Sequence, residues 1–198
     1  MIRIAVLAIA LFTTGLTAAN DKPVQTAVFA GGCFWCMESD FEKLEGVLDV
    51  VSGFTGGTHP DPTYRGRHDG HYEAIQVTYD PETVDYNGLL KHYWVNIDPF
   101  DARGQFCDKG HEYKAAIFVA DDTERAAAEK TKQAVIDEFS NQTVVTEILP
   151  AATFYPIKGK ESYHQDYYKN HSVRYQFYRY SCGRDQRLRE IWGDRVTH

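Results

Sequence analysis

The chain has 198 residues, with 21 Lys and Arg against 28 Asp and Glu, a formal net charge of −7. That acidic balance argues against a nucleic-acid backbone as the main partner. With only four cysteines over this length, the fold does not depend on a dense disulfide scaffold. Residues 1–19 open with Arg3, run apolar from Ile4 to Phe12 and end in Thr17-Ala18-Ala19, the layout of a secretory signal peptide. The apolar stretch is too short for a bilayer of about 30 Å. The expectation is therefore an exported, periplasmic chain with no membrane attachment after cleavage, its net charge moved from −7 to −8 by the loss of Arg3.

Residues 20–198 are expected to form a single catalytic domain. Thr26 to Gly31 is a short apolar run that reads as a strand, and Met37, Phe41 and Leu44 recur at helical spacing up to about Gly46. Val47 to Phe54 is β-rich. Pro60, Pro62 and Gly66 mark the stretch from Thr58 to Gly70 as a surface loop. Tyr72 to Tyr79 alternates, placing Glu73 on the same face as Ile75, Val77 and Tyr79. Tyr86, Leu89, Leu90, Tyr93 and Trp94 form a helical core stripe that Asp98-Pro99 ends.

A polar loop from Asp101 to Tyr113 precedes a strand at Ala115 to Ala120. Asp121 or Asp122 can cap a helix that buries Ala128, Thr131, Val135 and Phe139, and Thr143 to Leu149 is a fifth strand. This order predicts an α+β fold, a two-layer mixed sheet of the split βαβ (ferredoxin-like) kind. A long irregular C-terminal tail follows, with one helix near Ser162 to Lys169. Without a GxGxxG or phosphate-loop pattern, no bound nucleotide cofactor is expected.

Cys33, in Gly32-Cys33-Phe34-Trp35-Cys36, falls at the junction between the first strand and helix. Free backbone N–H groups and the helix dipole at such a junction stabilise a thiolate, which makes Cys33 a candidate nucleophile. Cys33 and Cys36 form one CxxC, while Cys107 and Cys182 stand alone, so a zinc site of two CxxC knuckles is not expected. His59, Asp61, His68, Asp69 and His71 have no regular ligand spacing and read as exposed loop residues, so no metal is expected. Glu73 is either a carboxyl facing the apolar layer, with a raised pKa suited to general acid catalysis, or the exposed start of an edge strand. Asp108 and Tyr113 can position hydrogen bonds or can be ordinary surface groups. Tyr163-His164-Gln165-Asp166-Tyr167 can hold a catalytic base or a structural hydrogen-bond network.

Six further segments, read together, resemble a known family. Gly31 to Glu38, Ser52 to Gly57, Pro62-Thr63-Tyr64, His71 to Ala74, Tyr79-Asp80-Pro81 and Asp108 to Tyr113 occur in the order seen in A-type peptide methionine sulfoxide reductases, and Tyr163 to Tyr167 resembles that family's late motif. The resemblance runs from about Thr26 to Trp192. It implies that Cys33 attacks the sulfoxide sulfur while Glu73 protonates the departing oxygen, with Tyr64 and Tyr113 hydrogen-bonded to that oxygen and Asp108 holding the polar network or a water. It further implies that Phe34 and Trp35 form an apolar wall for the substrate methyl group and that the S epimer of methionine sulfoxide, free or protein-bound, is accepted. The enzyme implied is a monomeric protein-repair oxidoreductase of oxidative stress with no bound cofactor, acting on oxidised methionine in peptides and proteins.

By the same resemblance, Cys33 becomes a sulfenic acid that condenses with another thiol, for which Cys36, Cys182 and Cys107 are candidates. The expected relay pairs Cys33 with Cys36 first, with Cys182 then taking over the bridge. The electron donor implied is thioredoxin or, for an exported enzyme, a thioredoxin-like protein supplied across the membrane. One rival reading is a general CxxC thiol-disulfide oxidoreductase, which leaves Glu73, Tyr64, Asp108 and Tyr113 without a role. Another is a non-enzymatic module that binds methionine-rich peptides in an aromatic groove.

Overall fold

The computed structural model describes residues 23–196. The signal peptide expected at residues 1–19 lies outside the described residues. Six strands form one mixed sheet in the order β7-β6-β1-β3-β2-β8. They are β1 (Gln25–Gly31), β2 (Val47–Thr55), β3 (Tyr72–Tyr79), β6 (Ala115–Val119), β7 (Glu147–Pro150) and β8 (Tyr155–Pro156). All neighbours are antiparallel except β6 and β7, which run parallel. A separate two-stranded ribbon of β4 (Gly104–Gln105) and β5 (Asp108–Lys109) leaves Phe106 and Cys107 at its tip.

Strand alternation divides the core cleanly. Ala27 and Phe29 of β1, Ile75, Val77 and Tyr79 of β3, and Ala115, Ile117 and Val119 of β6 face one cluster. Ala30, Tyr72, Ala74, Ala116 and Phe118 face a smaller one on the other side. Helices α1 (Phe34–Phe41), α2 (Tyr86–Val95) and α3 (Asp122–Glu138) contribute Met37, Phe41, Leu89, Leu90, Tyr93, Ala128 and Val135 to the larger cluster. Phe29 lies at its centre, its ring 5.2 Å from those of both Phe41 and Tyr93. Asp85 and Asp121 cap α2 and α3 by accepting the N–H groups of Gly88 and Glu124. Glu73 has the parity of Ile75, and it therefore points under α1 and is buried at 3% exposure.

Three differences from the sequence reading have physical causes. The fifth strand is confined to Glu147–Pro150, because the chain before it is tied elsewhere, with Val145 N–H bonded to the Pro99 carbonyl at 2.8 Å. The C-terminal segment is largely helical rather than irregular: a 3-10 turn at Gly159–His164 leads into α4 (Tyr167–Asn170), α5 (Ser172–Ser181) and α6 (Arg184–Trp192). The buried positions of α5 and α6 are Tyr175, Arg179, Arg184, Leu188 and Trp192, and two arginines among them hide the apolar period. His71 is fully buried instead of exposed, accepting from Gly57 N–H at 3.3 Å and paired through Nε2 with the His59 carbonyl at 2.9 Å. Among the described residues, no helix is long and apolar enough to cross a membrane.

Candidate active site

The β1–α1 junction is built by two glycines. Gly32 has φ +87°, in the left-handed region, and a Cβ there would meet Gln105 Cβ at 2.6 Å. A Cβ on Gly31 would meet Met37 Sδ at 2.6 Å and Ile97 at 2.8 Å. The chain is thus drawn tightly under the first turn of α1, and Cys33 becomes its N-cap, its carbonyl accepting the N–H groups of Cys36 and Met37 at 3.1 and 3.3 Å.

The next free N–H, that of Phe34, donates to the Glu73 carboxyl at 3.1 Å. Glu73 therefore satisfies the helix start that Cys33 begins. Burial pushes its pKa up to about 8, opposed by that N–H and a hydrogen bond from Tyr113 and reinforced by the charges of Asp108 and Glu112. Burial likewise raises Tyr64, to about 12, and raises Tyr113 above the ordinary tyrosine value, so both remain hydrogen-bond donors. Of the two readings of Glu73, the geometry is that of the buried carboxyl.

The cysteine pair does not behave as the helix dipole alone suggests. Burial pushes the Cys33 thiol well above its ordinary value, and a hydrogen bond with Cys36 adds to this. The same hydrogen bond brings Cys36 down to about 7 against its own burial, with help from the Arg184 and Arg179 guanidiniums. Desolvation at a closed site outweighs the dipole, because Cys33 is only 7% exposed and the Phe34 N–H already serves Glu73. The two thiols titrate as a unit that shares a proton.

Asp108 enters from β5 and accepts the hydroxyl of Tyr178, which also hydrogen-bonds to Cys33. Burial raises the Asp108 pKa, and the Tyr178 hydrogen bond and Arg184 pull it back. Both sulfurs of a Cys107–Cys182 disulfide lie beside the same carboxyl, at 3.7 and 3.9 Å, while Cys33 and Cys36 are free thiols. Asp108 thus stands between the buried pair and the outer bridge.

Trp35 stacks on Tyr167 at 3.8 Å between centroids and donates its indole N–H to His164 Nδ1 at 3.0 Å. Burial lowers His164 to about 4, so it is a neutral acceptor that orients Trp35. Of its two readings, the network role fits this geometry. A cavity of about 210 Å³ is lined by Trp35, Tyr64, Tyr163, His164 and Tyr167, together with Arg65 and Arg174. Phe34 is fully buried behind it, against Phe54, Tyr64 and His164, so the accessible part of the aromatic wall belongs to Trp35. A larger cavity of about 680 Å³ between α2 and α3 contains none of these groups.

Sequence reasoning missed Tyr178, Arg179 and Arg184. The buried Asp40 of α1 holds Arg179 at 2.8 Å and Arg184 at 3.6 Å, docking α5 and α6 beside the thiols. The signal was an acidic residue on the buried side of the first helix, legible only with its partners known. Among the described residues, two acidic or sulfur clusters have ligand-like spacing, Cys107-Asp108-Cys182 and Glu38-Glu42-Asp166. In the first the sulfurs are bonded to each other, and in the second Lys169 bridges Glu42 and Asp166.

A buried dithiol at a helix start, a proton-holding carboxyl against it and a second cysteine pair close by define a thiol-based oxidoreductase. The model of the family described as peptide methionine sulfoxide reductase matches residues 25–196. Peptide methionine sulfoxide reductase MsrA 2 of Caulobacter vibrioides is 49% identical over 96% of this chain and 97% of its own, and the MsrA protein of Bacillus licheniformis is 44% identical over 85% and 94%. The solved structure of methionine sulfoxide reductase A of Corynebacterium diphtheriae superposes with a TM-score of 0.63 at 30% identity, covering 76% of each chain. The chain belongs to the A-type peptide methionine sulfoxide reductases, oxidoreductases that return methionine sulfoxide to methionine.

Proposed function

We propose that the chain reduces the S epimer of methionine sulfoxide, free or in peptides, with Cys33 as nucleophile and Glu73 as general acid. The observation that carries this reading is the Phe34 N–H to Glu73 hydrogen bond of 3.1 Å, which sets a buried carboxyl that keeps its proton up to about pH 8 against the helix start formed by Cys33. The Cys33 proton passes to Cys36 along their hydrogen bond, and the Cys33 thiolate attacks the sulfoxide sulfur. Glu73 delivers a proton to the oxygen, with Tyr64 and Tyr113 as donors to it. Trp35, backed by Phe34, receives the methyl group. Methionine leaves and Cys33 is left as a sulfenic acid.

Cys36 then condenses with that sulfenic acid, releasing water and forming a Cys33–Cys36 disulfide. Cys182 attacks Cys36, freeing Cys33, and Cys107 attacks Cys182, freeing Cys36. The bridge that closes the sequence is Cys107–Cys182, the pairing present beside two free thiols in the described structure. A thioredoxin-like dithiol reopens it. The strand order β6-β1-β3-β2 supports reading the fold as a split βαβ unit, extended by β7, β8 and the C-terminal helices. The leader-like residues 1–19 support an exported, periplasmic enzyme.

The test is turnover of separated epimers of a blocked methionine sulfoxide with dithiothreitol, by the parent and by Cys33→Ser. Turnover of the S epimer alone, lost in Cys33→Ser, is expected. Inactivity of the folded, reduced parent on both epimers would overturn the reading.

A further inference from the structure

The cavity of about 210 Å³ at Trp35 is lined by two cations that the proposed reaction leaves unused. Arg65 comes from the loop after β2 and Arg174 from the start of α5, and both are exposed. Glu161 accepts the backbone N–H groups of Tyr64 and Arg65 at 2.8 and 3.0 Å. The 3-10 turn at Gly159–His164 thereby fixes Arg65 next to the tyrosine that the proposed mechanism sets on the sulfoxide oxygen. Among the described residues, neither guanidinium has a hydrogen-bond or ion-pair partner. Other charges nearby are matched: Lys158 with Asp61 at 3.5 Å, Arg67 with Asp69 at 3.3 Å and Lys169 with Asp166 at 2.6 Å.

These two charges act against the background of an acidic chain, whose net charge of −7 repels anions as a whole. Tyr167 to Arg184 contains no Asp or Glu to offset Arg174. The charge of Arg65 also reaches the cavity wall: burial lowers His164, Glu161 opposes this, and Arg65 adds to it. Guanidiniums so placed recognise a carboxylate, whose two oxygens match the planar fork of N–H donors. The cavity is smaller than the roughly 300–1,000 Å³ of sites for drug-sized ligands, so it takes one side chain and the backbone next to it. In methionine sulfoxide only a short carbon chain separates the sulfur from the residue's own carboxyl carbon. The side chain of an adjoining Asp or Glu in a peptide stands at a similar remove.

We infer, on the proposed reading of Trp35 as the wall that receives the methyl group, that Arg65 and Arg174 form a carboxylate subsite. It directs the chain towards methionine sulfoxide that carries a negative charge close to its sulfur. The subsite does no chemistry of its own: it lowers KM for the charged substrate and leaves the reduction to Cys33 and Glu73.

The experiment measures kcat and KM, with dithiothreitol as reductant, on two matched pairs of S-sulfoxides. One pair is N-acetylmethionine sulfoxide and its N-methylamide, which differ in the residue's own carboxylate. The other is a peptide capped at both ends with Asp or Asn beside an internal oxidised methionine. In the parent, the acidic member of at least one pair is expected to exceed its neutral counterpart about tenfold in kcat/KM, through KM, as two partly solvated charge pairs allow. The excess should shrink in about 0.5 M salt. In R65Q/R174Q the ratio should fall close to one, while R65K/R174K, which keeps both charges, should retain most of it. A preference confined to the first pair identifies the substrate's own carboxylate as the occupant, and one confined to the second identifies the neighbouring acidic side chain. Ratios near one for both pairs in the parent would overturn the proposal, as would a ratio that R65Q/R174Q leaves unchanged or one carried by kcat alone. So would an equal loss in the Lys and Gln variants, the mark of a merely structural role. All of these leave the sulfoxide reduction standing, whereas no turnover of any of the four substrates by the folded, reduced parent overturns that reading and the subsite with it.

Discussion

Glu73 combines two tasks that a single side chain can perform only in the protonated or hydrogen-bonded state: it accepts the Phe34 N–H and it holds a proton in a closed site. Glu73→Gln retains an acceptor for the N–H and removes the acid. The expected loss in kcat/KM is about 10² to 10⁴, the usual contribution of a placed general acid. The parent should show a narrow pH optimum, rising as the thiol pair ionises near 7 and falling as Glu73 loses its proton near 8, and the Gln variant should lack the upper limb. Stability moves as well. The folded state keeps the Glu73 proton up to about 8, whereas the unfolded chain releases it near the ordinary 4.5, so the cost of burying this group is absent below that value and grows as pH rises towards 8. Thermal unfolding should accordingly show Glu73→Gln gaining on the parent at pH 8 relative to pH 4.5. An equal difference at both values would show that Glu73 is not held protonated.

Among the elements, α1 is the organiser, receiving β1 at its start, Glu73 from β3 beneath it, and α5 and α6 on its Asp40 side. Asp40→Asn removes one charge from a buried pair network and leaves Arg179 and Arg184 poorly compensated. A cost of about 3–5 kcal/mol is expected from denaturant unfolding. With its anchor weakened, the variant should also lose protection from hydrogen exchange first in α5 and α6.

The same helices mark the limit of what the sequence discloses. β1, β3, α2 and α3 were legible because their burial follows simple periods of apolar side chains, and the parity of Glu73 with Ile75 and Val77 offered the buried reading without deciding it against an exposed strand start. The CxxC at a strand-to-helix junction was legible for the same local reason. The C-terminal helices were not, since they bury arginines whose partners are more than 130 positions away in α1. The raised Cys33 thiol was not legible either, because desolvation depends on everything that closes over the site.

Across the whole molecule, the chain is divided into a buried dithiol and an outer pair that meets solvent, with Asp108 and Tyr178 between them. The described structure holds Cys107–Cys182 as a bridge, with Cys33 and Cys36 as free thiols. With the proposed relay in operation, the protein would act as a reservoir of two electron pairs. Fully reduced and then deprived of any donor, each molecule should produce about two methionines in a rapid burst, whereas molecules starting in the state described here should produce one, as counted by rapid-quench chromatography against enzyme concentration. A burst of one from both starting states would mean that the outer pair never receives what the inner pair gives up. With a burst of two, a chain that has lost contact with its supply can still complete another repair, and short interruptions of that supply are absorbed by the enzyme itself.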